Sequence, residues 1–293
     1  MKCYLCGSSK FEARKGEVRD RADLSILECQ NCGLVCLSSF DHIDQKHYEN
    51  SGMHGEALPT ISEWLQNTDA DDQRRFESLT PILTNKKVLD FGCGAGGFLK
   101  KTQPLAQEAE GIEPEQRIQN FWRDSIMIYP DLESVTKTGK NYDLVTAFHV
   151  VEHLPDPRAI LKNLSNLLSP KGYLIIEVPS SEDALITLYD CDAFQRFTYW
   201  SQHLYLFNAE TLKNLAIQAG LYVVSIKQFQ RYPLSNHLYW LSQGKPGGHQ
   251  KWSFLDDPAL NQAYAASLGG IGKCDTLIAY LSKNQSISPK LLP

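Results

Sequence analysis

A glycine-rich segment, VLDFGCGAGGF at residues 88–98, constrains this chain more than any other stretch of its sequence. An apolar run ends at Asp90, glycines crowd the following turn, and a helical pattern begins at Phe98. Because glycine has no Cβ and tolerates positive φ, such a loop lets the backbone approach a ligand closely at the tip of a strand. The segment therefore predicts an α/β fold with a ligand site at the carboxyl ends of its strands.

The spacing of these glycines fits two kinds of cofactor. Gly92, Gly94 and Gly97 satisfy the dinucleotide-binding pattern G-x-G-x-x-G. Asp90, two residues before the first glycine, favours the other kind, because a carboxylate in the turn repels a pyrophosphate and attracts a cation. S-adenosylmethionine (SAM) suits such a loop, since it carries both an ammonium and a sulfonium group.

The segment resembles the glycine-rich motif of class I SAM-dependent methyltransferases, and the elements after it follow that family's order. A second apolar strand ends at Glu113, about 20 residues past the loop, where the family has a carboxylate that accepts the ribose hydroxyls. The resemblance implies a Rossmann-like, seven-stranded class I methyltransferase sheet in an α/β fold. It also implies SAM contacts from Asp90, Gly92, Cys93, Gly94, Gly96, Glu113, Pro114, Asp131, Phe148 and His149.

The pattern of apolar residues from position 86 onward predicts alternating strands and helices, hence a mainly parallel sheet with helices on both faces. Pro170 is expected to stop the helix after Asp156, and Gly220 to follow the end of a later helix. The predicted strands are 87–91, 109–112, 126–129, 142–148, 173–178, 221–229 and 275–283. The predicted parts are a ribbon (1–40), a helical connecting and cofactor-covering region (41–80), a methyltransferase domain (81–283) with an insertion at 231–273, and a flexible tail (284–293).

Four cysteines near the start of the chain form two CxxC pairs separated by 22 residues: Cys3, Cys6, Cys29 and Cys32. Each CxxC places two thiolates on one turn, and two such turns close a tetrahedral zinc site. Gly7 and Gly33 follow the pairs, where the chain must turn sharply. Because four protein ligands leave no position for a catalytic water, the pattern predicts a structural zinc, with redox pairs or unliganded thiols as alternatives.

The composition predicts a cytoplasmic protein. The sequence has no apolar run of the roughly 20 residues that a membrane span needs, and its start lacks the apolar region of a signal peptide. A net charge of −5 across 293 residues exerts no general attraction for nucleic acid. Nucleic acid is therefore not expected as a partner, and the oligomeric state stays open.

Two stretches exceed the minimal fold: an aromatic segment at residues 190–208 and the insertion at 231–273. Long connections near a site often carry function. Methyl transfer needs alignment and a base for the proton of the acceptor, so histidines in these regions are candidates. We expect His203, and after it His153, to act as the base, and Tyr199, Trp200 and His237 to bind the acceptor.

The order of parts also resembles the nucleotide-sugar C-methyltransferases, which have a Tyr-His-Glu-His-Leu motif with acid–base residues. The matching residues here are 200–204, which retain His203 but replace the tyrosine and the glutamate. Carbon methylation must remove a weakly acidic C–H proton, whereas transfer to oxygen or nitrogen needs only one modest base. We therefore expect a small-molecule acceptor, such as a sugar nucleotide or another cell-surface polysaccharide precursor.

Two alternatives remain. If the chain methylated RNA or protein, the ribbon would be a docking module, as in zinc-containing ribosomal RNA methyltransferases. A basic stripe would support this alternative, but the positive and negative charges of the ribbon nearly balance. The chain would be a scaffold if it bound SAM without catalysis. A strong salt dependence of binding would favour the first alternative, and the absence of S-adenosylhomocysteine (SAH) after incubation with SAM and acceptors would favour the second.

Overall fold

The computed structural model describes residues 1–43 and 58–285. In chain order the strands are β1 (Phe11–Ala13), β2 (Ile26–Cys29), β3 (Val35–Leu37), β4 (Lys87–Phe91), β5 (Glu108–Ile112), β6 (Ile128–Tyr129), β7 (Tyr142–Phe148), β8 (Leu168–Pro179), β9 (Tyr205–Leu206), β10 (Tyr222–Phe229) and β11 (Thr276–Ser282). The helices are α1 (Ile61–Leu83), α2 (Gly97–Thr102), α3 (Gln116–Trp122), α4 (Leu132–Lys137), α5 (Pro157–Asn166), α6 (Ala184–Thr187), α7 (Asp192–Thr198), α8 (Ala209–Gln218), α9 (Leu234–Gln243), α10 (Gly248–Lys251) and α11 (Pro258–Gly270), with 3₁₀ turns at Val151–His153 and Ser253–Leu255.

A seven-stranded sheet forms the centre of the molecule, in the order β10-β11-β8-β7-β4-β5-β6. The strands from β8 to β6 are parallel, and β11 runs antiparallel to both of its neighbours. Parallel strands need helical crossovers, which cover both faces of the sheet and make its interior strands apolar. The α/β fold class expected from the sequence is confirmed.

One local expectation is wrong. Helix α5 ends at Asn166, four residues before Pro170, and the chain enters β8 at once. Pairing between β7 and β8 is interrupted between Leu168 and Tyr173, so Pro170 lies where no ladder hydrogen bond needs its missing N–H. Gly220 does follow α8 as expected, with φ of 79°.

The ribbon forms a second, four-stranded antiparallel sheet in the order β1-β2-β3-β9. Its last strand comes from the aromatic segment, through pairing of Val35 with Leu206 and of Cys36 with Tyr205. The apolar interior of the ribbon is continuous with one face of the central sheet. The sheet therefore crosses the predicted boundary at residue 40, and that boundary stays a prediction.

Helix α1, of 23 residues, begins in the predicted connecting region with a capping box between Thr60 and Glu63 and ends three residues past that region's boundary at residue 80. The insertion folds into α9, α10 and α11. Residues 44–57 of the connecting region and residues 286–293 of the predicted tail lie outside the described residues. No helix in the described ranges is long and apolar enough to cross a membrane.

Candidate active site

A cavity of about 1200 Å3 opens at the carboxyl ends of the parallel strands. The glycine loop after β4, the tip of β5 and the turn after β7 form one end of it. Helix α1, the aromatic segment and the insertion enclose the rest. Ligands of open α/β sheets bind at this edge, so the fold brings the predicted cofactor loop and both unusual stretches to one place.

The glycine loop needs glycine for conformation and for space. Gly92, Gly94 and Gly96 have φ of 70°, 51° and 82°, values that favour glycine. A Cβ on Gly92 would lie 2.5 Å from Val150 Cγ2, and one on Gly96 would lie 2.6 Å from the Trp122 ring nitrogen. Gly96 therefore packs against α3, whereas Gly92 and Gly94 line the cavity.

Two carboxylates hold the cofactor end of the cavity. Glu113 accepts hydrogen bonds from the backbone N–H of Gly94 at 3.0 Å and of Glu115 at 3.2 Å. Asp90 accepts one from the Thr146 hydroxyl at 2.6 Å. Burial raises the pKa of Asp90 and of Glu113 to about 7. A cationic ligand with hydroxyl donors would compensate both carboxylates.

Nine of the ten cofactor residues expected from the sequence line this cavity. Gly96 is the exception, for the packing reason given above. Asp131 also caps α4 through the N–H of Ser134. The nine are Asp90, Gly92, Cys93, Gly94, Glu113, Pro114, Asp131, Phe148 and His149.

Helix α1 contributes cavity residues that sequence reasoning missed. Its run DADDQRR has the composition of a solvated helix face. Asp72 is nevertheless buried, beside Gly97 at the start of α2, and Arg75 packs over the Phe148 ring at 4.6 Å. The periodicity of the apolar residues gave no signal for this face, because its partners are charged groups elsewhere in the chain.

Arg75 belongs to a buried ion cluster around Glu177 on β8. Glu177 Oε1 lies 2.8 Å from nitrogens of Arg74 and Arg75 and 3.2 Å from His149 Nε2. The other ring nitrogen of His149 lies 3.2 Å from Glu152 Oε1. Although burial opposes the charge, the two glutamates raise the pKa of His149. Both ring nitrogens of His149 thus face carboxylate oxygens, and these contacts fix the orientation of the ring at the tip of β7.

His153 and His203, the two candidate bases, lie side by side in the cavity, with ring centroids 5.0 Å apart. The Nδ1 atom of His153 lies 2.8 Å from the Gln202 carbonyl oxygen. Because a carbonyl oxygen only accepts hydrogen bonds, this contact assigns the ring proton to Nδ1. Its Nε2 atom then faces Glu152, 3.9 Å away. Burial lowers the pKa of His153 despite the opposing charge of Glu152, and lowers that of His203 to about 3. Both rings are therefore neutral near pH 7.

Aromatic side chains form the wall beyond these histidines. Trp200 meets His203 edge-on at 5.5 Å, and Trp240 of the insertion packs on Phe197 at 5.0 Å. His237 also lines the cavity, but its ring nitrogens contact the Tyr264 hydroxyl at 2.7 Å and the Gln230 side chain at 3.1 Å.

Of the three residues expected to bind the acceptor, Trp200 and His237 line the cavity and Tyr199 does not. Tyr199 is buried, and its ring fills the space that a Cβ on Gly16 of the ribbon would occupy. It therefore packs the ribbon against the aromatic segment.

The four ribbon cysteines converge to a single cluster. The Sγ atoms of Cys3 and Cys32, and those of Cys6 and Cys29, are 3.5 Å apart, and all four lie within 4.8 Å of one another. Tetrahedral zinc with Zn–S bonds of about 2.3 Å separates its sulfurs by about 3.8 Å. Gly7 and Gly33 have φ of 72° and 75° and turn the chain behind each pair. The cluster is compatible with a zinc ribbon.

The ribbon also holds the aromatic segment in place. Asp20 accepts hydrogen bonds from the N–H of Ser201 at 3.0 Å and from its hydroxyl at 2.6 Å. A ring nitrogen of His42, two residues past the ribbon, lies 2.7 Å from the Ser201 carbonyl oxygen. These contacts flank Trp200 and precede His203 by two residues, so the ribbon supports the wall that carries a candidate base.

A model of a protein family described as a methyltransferase domain matches residues 63–226, more than half of the chain. The chain belongs to this methyltransferase family. The matched residues include the glycine loop, Glu113 and both candidate bases. Together with the seven-stranded sheet, the match identifies the chain as a SAM-dependent methyltransferase.

Curated relatives of the methyltransferase include ubiquinone biosynthesis O-methyltransferases. The protein from Coxiella burnetii (strain Dugway 5J108-111) is 25% identical over 172 residues, which cover 53% of this chain and 71% of the relative. That from Acinetobacter baumannii (strain AYE) is 30% identical over 105 residues, which cover 31% of this chain and 43% of the relative. For several of these relatives the chain thus spans less than half of their length.

Among solved structures, the chain is similar to one chain in the complex between the Haloferax volcanii Trm112 methyltransferase activator and a methyltransferase, with a TM-score of 0.50 and 13% identity. The similarity covers 78% of this chain and 100% of that one. At this identity the likeness shows the fold alone.

Proposed function

We propose that this methyltransferase transfers the methyl group of SAM to a hydroxyl oxygen of a small-molecule acceptor. One observation carries the proposal: a single cavity joins two carboxylates suited to SAM, the buried Asp90 and the half-buried Glu113, with two neutral histidines beside a buried glutamate. Transfer to oxygen is supported by the names of the curated relatives, which are O-methyltransferases.

The cofactor end of the cavity fits SAM by the chemistry of its residues. Asp90 and the loop from Gly92 to Gly94 would hold its cationic amino-acid part, and the Glu113 carboxylate would accept its ribose hydroxyls. When bound, SAM supplies an activated methyl group that an acceptor oxygen takes by in-line displacement. The chain must then align the acceptor oxygen and receive its proton.

The contacts favour His153 as the proton acceptor. Its Nε2 atom faces Glu152, whose carboxylate is fully buried and stabilises the protonated ring. The pKa of His203 falls to about 3 because burial and His153 both oppose its charge, which makes His203 the weaker base. His203 is better suited to hold the acceptor hydroxyl between the two rings.

The acceptor end supports a small molecule with a ring. Trp200, Phe197 and Trp240 present aromatic surfaces on which a sugar, a base or a phenol can stack. A sugar nucleotide or another cell-surface polysaccharide precursor remains the acceptor class that we propose, with phenols as the comparison class in the test. The docking alternative is less well supported, since the ribbon packs onto the cavity wall rather than standing apart.

We also propose that Cys3, Cys6, Cys29 and Cys32 bind one structural zinc ion. The closeness of the four Sγ atoms supports this site. The ribbon strands have only three or four residues each, too few to bury a core of their own, so a metal would stabilise their arrangement.

The test is incubation of the purified chain with SAM and a panel of nucleoside diphosphate sugars and catechols, with SAH formation as the readout. We expect SAH to form with at least one hydroxyl acceptor and the product to carry an O-methyl group by mass spectrometry. The double variant His153→Ala/His203→Ala should still bind SAM but form no product. SAM binding without turnover on any acceptor would favour the scaffold alternative.

A further inference from the structure

An arginine of the ribbon reaches the acceptor end of the cavity. Arg19 lines the cavity, with its guanidinium carbon 4.8 Å from the Trp200 ring centre and 5.2 Å from that of Phe197. Its backbone N–H donates to the Tyr199 carbonyl at 3.0 Å, which fixes where the side chain starts. Three parts distant in sequence therefore meet on one wall: the ribbon, the aromatic segment and, through Trp240, the insertion.

Arg19 differs from the other arginines that line the cavity. Arg75 forms ion pairs with Glu177 and Asp72, and Arg231 forms one with Asp71. In the part of the chain that the structure describes, Arg19 has no carboxylate within ion-pair distance. Among these residues its guanidinium faces two aromatic rings, and one terminal nitrogen lies 3.3 Å from the Phe197 carbonyl oxygen. The adjacent Asp20 attracts it only from a distance, because that carboxylate is bonded to Ser201.

This geometry leaves N–H donors of the Arg19 guanidinium available to bind a ligand. Stacking on an aromatic face uses none of the five N–H donors of arginine, and those donors suit the paired oxygens of a phosphate or carboxylate. At the cofactor end, by contrast, the carboxylates of Asp90 and Glu113 attract cations. Within the described residues, the cavity thus has acidic groups at the glycine loop and, at the ribbon, a guanidinium without an ion-pair partner.

We propose that Arg19 binds an anionic oxygen group of the acceptor, so that the ribbon forms the specificity-determining wall of the acceptor site. The proposal deepens the proposed function and rests on it. A phosphate of a sugar nucleotide and a carboxylate of a phenolic acid share the required chemistry, and the experiment separates them. In either case the anion lies beside Trp200, while the hydroxyl to be methylated faces His153 and His203.

The test uses the full, metal-replete chain with SAH bound, and matched pairs of probes with and without an anionic group. Uridine diphosphate is compared with uridine, and 3,4-dihydroxybenzoate with catechol, by calorimetric titration. The variants are Arg19→Ala, Arg19→Lys and, as a control, Arg21→Ala. Arg21 belongs to the same loop but pairs with Asp23 on the exposed surface, at 2.7 Å. Thermal midpoints and SAH affinities establish that each variant is folded.

We expect the wild type to bind one anionic probe at least tenfold more tightly than its neutral partner. Arg19→Ala should abolish this preference without changing SAH affinity, Arg19→Lys should retain part of it, and Arg21→Ala should retain all of it. The pair that shows the preference identifies phosphate or carboxylate. An absent preference in the wild type, or an intact one in Arg19→Ala, would overturn the inference, whereas loss of SAH binding in the wild type would overturn the proposed function instead.

Discussion

The Glu113 carboxylate accepts a hydrogen bond from the backbone N–H of Gly94 at 3.0 Å. This bond joins the tip of β5 to the middle of the glycine loop, so the two cofactor motifs hold each other in place. The carboxylate and the loop are positioned before any ligand arrives, and preorganisation of this kind lowers the cost of binding.

We predict that Glu113→Ala lowers SAM affinity by about 1.5–3 kcal/mol, the range for lost hydrogen bonds to a charged group. Isothermal titration measures the effect. Glu133→Ala, which removes only an exposed carboxylate paired with Lys137 on α4, serves as the control and should bind SAM like the wild type. Equal affinities for both variants would show that the ribose lies elsewhere.

SAM affinity should depend on pH near neutrality. Burial raises the pKa of Asp90 and of Glu113 to about 7 in the ligand-free chain. A cationic ligand favours the ionised carboxylates and lowers their pKa, so protons leave on binding. Affinity should therefore fall as the pH drops below 7 and level off above it.

Titrations at several pH values, in two buffers with different ionisation enthalpies, measure the proton release directly. Glu113→Gln should release fewer protons at pH 7 than the wild type, because one titrating group is gone. A pH-independent affinity between pH 6 and 8 would mean that the two carboxylates are already ionised without ligand.

Removal of the metal should affect acceptor turnover more than SAM binding. We predict about one zinc ion per chain, and we expect Cys29→Ser to lose it. Because the ribbon holds Ser201 and pairs with β9, its loosening should displace Trp200 and His203 and lower kcat/KM. SAM affinity should stay near the wild-type value, since the four ribbon cysteines are not among the residues that line the cavity.

Metal analysis and kinetic assays on Cys29→Ser and on the control Cys274→Ser test this prediction. Cys274 is buried beside β11, away from the cluster, so its variant should keep the metal and the turnover. Freshly purified wild type without zinc, and with four reactive ribbon thiols, would refute the zinc site.

His153→Ala should lower kcat by roughly 10²–10⁴-fold, the usual contribution of a general base. The loss for His203→Ala should be smaller, because that ring positions the hydroxyl and is the weaker base. SAM affinity should change little in either variant. His249→Ala is the comparison, since His249 also lines the cavity but contacts Asn236 and Tyr232 of the insertion. A larger loss in His249→Ala than in His153→Ala would move the base to the insertion.

Stability should depend strongly on Glu177. This side chain is buried and balances Arg74, Arg75 and His149. Glu177→Gln removes the carboxylate that these groups share and leaves them, among the described residues, only Asp71, Asp72 and Glu152. We expect this loss to cost about 3–5 kcal/mol of unfolding free energy in urea. Glu182→Gln, which breaks a partly exposed pair with Lys273, should cost less than about 1 kcal/mol. Similar midpoints for the two variants would contradict the balance described here.

The sequence by itself determined the chain order of the seven central strands and the place of the glycine loop. These features depend on local information: apolar periodicity, the glycines at positive φ and a carboxylate at a strand tip. The four ribbon cysteines also lie together as expected. Each CxxC turn is a local feature, and only the approach of the two turns to each other depends on distant residues. Such features need no knowledge of what packs against them.

Only the tertiary structure decided which charged and polar groups the cavity contains. In the sequence, the charged face of α1 is indistinguishable from a solvated face. The structure shows that it is packed, with Asp72 against the start of α2 and Arg75 paired with Glu177. Tyr199 and Trp200 are adjacent in sequence, yet one packs the ribbon and the other lines the cavity. The pKa of His149 is raised and that of His153 is lowered, because their contacts with carboxylates differ. All of these outcomes depend on contacts between distant residues, and no local pattern encodes such contacts.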